Sequence, residues 1–266
     1  MRRRASRGLR AAQGHRGFSL AELLVAIAVL SLIMAALFGA LDVSQKAYGR
    51  ATSAEEAQVA ARATLDRLAT DLRMVGSFYF GAGNAGFPIT AFGSTSISFW
   101  GDVNGDGSTT TTAAATATGI TLASATGFTQ NELVYVGSGA FREVATIASD
   151  PSSSTTLTLS APPAAGTWTA LANSYPANSM VRSVEQVTWS YDAAARTLTR
   201  TEADSGAVTV MDNVVAFSLA GYDVNGTATT TLSAIDSIGV ALTVEDPRGA
   251  RRTLGVRVQL RSMRVG

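Results

Sequence analysis

Apolar and polar positions along this chain fall into three successive patterns. From Leu23 to Leu41 the sequence LLVAIAVLSLIMAALFGAL runs for 19 residues without a charge. As a helix, at about 1.5 Å per residue, this run is roughly 28 Å long, close to the hydrocarbon core of a bilayer. The period then changes. Ala54, Ala57, Ala61, Leu65, Leu68, Leu72 and Val75 recur at spacings of three and four, while Glu55, Glu56, Arg62, Asp66, Arg67, Asp71 and Arg73 occupy the other faces. This predicts an amphipathic helix with a narrow apolar stripe. The first proline is Pro88, and Gly76 is a stop signal. Together the two patterns predict one helix from Phe18 to about Val75, roughly 85 Å long. The stripe is short and begins with alanines, which favours packing on a sheet over a coiled-coil stalk.

Beyond Gly76 the third pattern is short alternation among Gly, Ser and Thr. Strands are predicted at 96–100, 133–136, 143–147, 155–159, 184–191, 197–201, 208–211, 215–219, 238–244 and 254–260. Asp246-Pro247-Arg248-Gly249 is a turn, so the last two strands read as a hairpin. Residues 108–118 hold seven Ser or Thr and no large apolar residue, which predicts a flexible surface loop. Residues 119–172 read as a compact β unit between that loop and the Tyr175-Pro176 turn, making 108–172 an insertion in the β-rich part.

Composition narrows the chemistry. The chain has no cysteine, and its only histidine is His15. Disulfides, thiol catalysis, Cys- or His-ligated metal centres and Ser–His–Asp catalysis are therefore excluded. Only carboxylates remain as catalytic groups, and no acidic pair stands in a convincing context, so no enzyme activity is expected. Charge is uneven. Arg2, Arg3, Arg4, Arg7, Arg10 and Arg16 precede the apolar run with no acid among them, whereas the rest of the chain holds 15 basic and 20 acidic side chains. A basic leader ahead of a span predicts a cytoplasmic N-terminus and a translocated remainder. No basic surface for nucleic acid is indicated. A removable secretory signal is the competing reading, but the run is long for one and no small-x-small cleavage site follows it.

Glu22 adds the decisive detail. A carboxylate at the start of a membrane span is costly and needs a partner. It stands in Arg16-Gly17-Phe18-Ser19-Leu20-Ala21-Glu22-Leu23-Leu24. This segment resembles the class III signal of type IV prepilins and of type II secretion pseudopilins. The resemblance implies that an inner-membrane prepilin peptidase cuts after Gly17 and methylates Phe18. It also implies that Glu22 is retained and pairs, during assembly, with the N-terminal amine of a neighbouring subunit. Such a pair satisfies two costly groups and fixes axial register. Many relatives carry a proline in the span near the position of Gly39, a departure that leaves bending of the span open.

The family's fold is expected to follow: α+β and pilin-like, with a long N-terminal membrane-spanning helix packed on an antiparallel β-sheet head bearing a β-rich insertion. Residues 1–17 are then the leader, 18–41 the transmembrane half-helix, 42–76 its amphipathic half and 77–266 a periplasmic head. Past residue 119, Ala125-Thr126-Gly127-Phe128, the runs 133–136 and 142–147, Val184–Tyr191 and Thr197–Arg200 resemble W-type minor pilins in pattern and order. J-type pseudopilins share the plan but are shorter. The expected role is that of a minor pilin priming or tipping a filament. Its partners are the peptidase, other pilins or pseudopilins and the inner membrane. The alternatives are a J-type pseudopilin or a pilus-borne head that binds a surface, DNA or a secreted substrate.

One further motif stands apart. Asp102-Val103-Asn104-Gly105-Asp106-Gly107 places oxygens at alternate positions before glycines, as the start of a calcium loop does. Ala113 occupies the position where an EF-hand has its closing glutamate, so that motif is rejected. Two readings stay open: a Ca2+ site on Asp102, Asn104 and Asp106 completed by Glu132 or Glu143, or an Asx/Gly-rich turn. Arg248, Arg251 and Arg252 form a small basic cluster, read as a solvated turn.

Overall fold

A computed structural model of the chain describes residues 19–79, 86–162, 170–202, 205–246 and 249–260. The chain divides into two compact units, residues 1–52 and residues 53–266. The helix α1, Leu20–Arg73, contributes to both. Within the first unit its apolar residues from Leu23 to Leu41 are exposed all around. It is the one helix among the described residues long and apolar enough to cross a membrane. A helix with no polar face is not stable against water, which is why this stretch belongs in lipid or among similar helices. It runs unbroken through Gly39 and Gly49.

Within the second unit α1 buries the predicted stripe from Ala61 onward, while Ala54 and Ala57 are half-buried. Ala61, Leu65, Leu68, Ala69 and Leu72 are buried, and Val75 follows just past the helix end. Gly76, at φ 77°, turns the chain away, and its N–H donates to the Trp100 carbonyl at 2.8 Å. Asp71, expected on a solvated face, is buried instead. The neighbouring sheet supplies the donors that make this tolerable.

That sheet has ten strands: β1 (Ile89–Phe92), β2 (Ser96–Gly101), β3 (Ser108–Thr110), β4 (Gly119–Thr121), β5 (Leu133–Ser138), β6 (Phe141–Ile147), β7 (Thr156–Ser160), β8 (Met180–Asp192), β9 (Thr197–Glu202) and β10 (Gly206–Met211). The main path runs β1-β2-β8-β5-β6-β7-β4, and all pairings are antiparallel. The long strand β8 organises it. Its first part, from Met180 to Val184, pairs with β3 on one edge and β5 on the other. Its second part pairs with β2 and with β9. A second sheet holds β11 (Val214–Tyr222), β12 (Ser237–Glu245) and β13 (Arg251–Gln259), paired consecutively. The expected C-terminal hairpin is β12–β13, closed by Gly249 N–H to the Asp246 carbonyl at 2.9 Å.

Apolar side chains from α1 and both sheets form one core around Trp189, Phe99, Leu68 and Leu242. A second core, with Ile120, Val134, Ala145, Leu157, Tyr175 and Val181, lies under β4 to β7. The predicted flexible loop at 108–118 is a correction. Ser108–Thr110 is strand β3 on β8, and Thr111 and Thr116 bridge to Leu122 and Gly119. Threonine suits a pleated surface, and here the free edge of β8 offers the ladder partners that composition alone does not reveal.

Candidate functional site

Two places carry the residues singled out from the sequence. The first is the start of α1. Gly17 and Phe18 lie outside the described residues. Glu22 is exposed in the first helical turn. Ser19 N–H donates to Glu22 Oε2 at 2.9 Å, and Glu22 N–H donates to Ser19 Oγ at 3.2 Å. This is a reciprocal capping box, which satisfies two N–H groups left over at a helix start. Leu23 N–H closes the first turn onto the Ser19 carbonyl at 3.2 Å. The spacing Ser19-x-x-Glu22 is the sequence signature of such a box.

The second place is the loop 102–107, which links β2 to β3 along one edge of β8. Gly107 (φ 46°) and Gly127 (φ 80°) let two backbones meet there. A Cβ on Gly107 would stand 2.5 Å from Ser183 Cβ, and one on Gly127 would overlap the Gly107 backbone. The loop binds itself together. Asp102 Oδ1 accepts from Gly105 N–H (2.9 Å), Asn104 Oδ1 from Asp106 N–H (3.1 Å), and Asn104 Nδ2 donates to Asp106 Oδ2 (2.9 Å). Arg182 Nη1 lies 3.7 Å from Asp102 Oδ2, and the same guanidinium covers the Phe78 ring at 5.1 Å.

Beneath the loop lies Glu185, fully buried and not singled out from the sequence. Its Oε1 lies 2.5 Å from Ser183 Oγ, and Val103 N–H donates to its Oε2 at 3.2 Å. Ser183 Oγ also lies 3.0 Å from Asp106 Oδ1. Burial pushes the Glu185 carboxyl up to about 7, with the charges of Asp106 and Asp102 adding to the rise. Burial likewise raises Asp102.

The glutamates expected to complete a calcium site are engaged elsewhere. Glu143 is buried and accepts from Ala172 N–H, Asn173 N–H and Asn173 Nδ2, each at 2.7 Å, and from the Tyr175 hydroxyl at 3.0 Å. Glu132 Oε2 accepts from Thr129 N–H at 2.8 Å. Among the described residues no group of three or more His, Cys, Asp or Glu is arranged to hold a metal ion. Asp-Val-Asn-Gly recurs at 223–226, where Asp223 Oδ1 accepts from Asn225 N–H (2.9 Å) and Thr227 N–H (2.8 Å) as an Asx turn. Of the basic cluster, Arg248 lies outside the described residues. Arg252 is exposed, and Arg251 Nε lies 3.8 Å from Glu245 Oε1.

The helix start is thus an acid held at the head of an apolar span, preceded in the sequence by six arginines. Residues 13–38 match the prokaryotic N-terminal methylation motif. No curated protein and no solved structure matches the chain. The methylation motif contains Gly17, Phe18, Ser19 and Glu22 and runs to Phe38, so it covers the capping box and most of the apolar run. It is a type IV prepilin-like signal. Joined to a long apolar helix and a head of antiparallel sheets, it makes the chain pilin-like in plan.

Proposed function

We propose that this chain is a minor subunit of a type IV pilus, made as a membrane-inserted precursor. The observation that carries this is the methylation motif at 13–38 together with a helix whose apolar part, 23–41, is exposed among the described residues. On this reading prepilin peptidase cuts between Gly17 and Phe18 and methylates the new amine. The span crosses the inner membrane once, with the leader cytoplasmic and the head periplasmic. Glu22 pairs with the N-terminal amine of a neighbour in the filament. Nothing in this role requires the chain to catalyse a reaction. The head, with its second core, is large for a subunit repeated along a whole filament, which supports a priming or tip position. A J-type pseudopilin of type II secretion uses the same signal and is the alternative.

The test is mass spectrometry of the N-terminal peptide from membranes and sheared filaments of the native host. The expected result is a chain beginning with N-methylated Phe18 in both fractions. A chain starting beyond Leu41, or one retaining the leader, overturns the proposal. Processed protein that is confined to membranes, in cells whose secretion fails when it is deleted, favours the pseudopilin.

A further inference from the structure

We propose that Ser19 is a positioning residue for Glu22, holding its carboxylate toward the N-terminal end of α1 for pairing with a neighbour's amine. The inference rests on the pilin reading and adds to it the residue that aims the acid. A glutamate at the third position of a free helix has many rotamers, most of them directed away from the helix end. Here both halves of the contact are made: Ser19 N–H holds Oε2 at 2.9 Å, and Ser19 Oγ holds Glu22 N–H at 3.2 Å. Each bond favours the geometry of the other, because the hydroxyl fixes the N-cap backbone that directs the N–H. The carboxylate is thereby drawn back over the first turn, onto Ser19 at the N-terminal end of the helix. Only Oε2 is used in the box, so a charged amine approaching from the same end meets an acid that is already oriented. Holding the acid in advance removes a side-chain ordering cost from the association step.

The experiment uses the full-length precursor in its host, with Ser19→Ala, Ser19→Thr, Glu22→Gln and the double variant Ser19→Ala/Glu22→Gln. Cleavage and methylation are read by mass spectrometry, and incorporation by the ratio of sheared-filament to membrane protein. Ser19→Ala is expected to be processed normally but incorporated several-fold less, on the order of a lost N-cap. Ser19→Thr, which keeps the hydroxyl, is expected to restore incorporation. Ser19→Ala is expected to add nothing to Glu22→Gln, since the two residues act as one unit. Incorporation of Ser19→Ala at the wild-type level, or losses that simply add in the double variant, would overturn the positioning role. A wild-type chain that is never cut after Gly17 would instead remove the pilin reading itself, so the two failures are distinguishable.

Discussion

At the residue scale, Glu185 shows how the head tolerates a buried acid. One serine hydroxyl has one proton, yet Ser183 Oγ stands within hydrogen-bond distance of oxygens on both Glu185 and Asp106. Both contacts are satisfied when Glu185 itself carries a proton and donates to Ser183. The native chain then keeps that proton up to about pH 7, whereas the unfolded chain releases it near 4.5. Between those values the folded state binds more protons, so this group's contribution to stability falls as pH rises and is lost above 7. The loss is on the order of 3 kcal/mol. Glu185→Gln, neutral at every pH, is expected to melt above the wild type at pH 8 and level with it near pH 5. An equal gap at both pH values would refute the protonation account. The same melting curves with calcium and with chelator decide the loop's occupant. A rise with calcium puts an ion on Asp102, Asn104 and Asp106, and no change leaves an Asx turn. Gly107 is the other sensitive residue. Gly107→Ala forces a side chain into a left-handed position against Ser183, and is expected to cost about 2–4 kcal/mol by denaturant unfolding.

At the element scale, α1 is tied to the sheet by more than its leucines. Asp71 Oδ2 accepts from Trp189 Nε1 (2.9 Å) and Arg200 Nε (2.7 Å). Arg200 also grips both oxygens of Glu202, at 2.7 and 3.0 Å, holding that carboxyl below its ordinary range despite burial. A buried charged network adds little net stability against an apolar replacement, but removing one member strands the others. Asp71→Ala is therefore expected to destabilise the head by about 3–5 kcal/mol, measured by equilibrium unfolding. An effect below 1 kcal/mol would mean that water readily replaces the carboxylate.

At the scale of the whole molecule, residues 53–266 form a compact unit of their own. A fragment beginning at Ser53 is expected to be soluble and folded without detergent, while the full chain partitions into membranes. The two larger cores of this unit share β8, which gives Val181 to one and Val187 and Trp189 to the other, while its Val184 joins a smaller cluster with Tyr79, Trp100, Leu133 and Val144. They are expected to unfold together, with coincident near- and far-ultraviolet circular dichroism transitions. Two separated transitions would show that the β4–β7 region is an independent folding unit.

What the sequence determined lies where the physics is local. The apolar run, the stripe from Ala54 to Val75, the Asp246–Gly249 hairpin and the Gly17-Phe18…Glu22 signal all depend on neighbours a few residues apart. The Ser19–Glu22 box was equally local and legible by spacing. Strands β1, β3 and β4 were not legible, because four or three residues of mixed polarity become strands only when an edge of the sheet receives them. The same holds for side chains. Asp71 follows the pattern of a solvated face, and Glu185 merely interrupts an alternating strand. Their burial was decided by Trp189, Arg200, Ser183 and Val103, partners as far as 129 residues away in the chain. Whether a buried charge can stand depends on whether a donor or a proton reaches it, and that is a property of the tertiary fold.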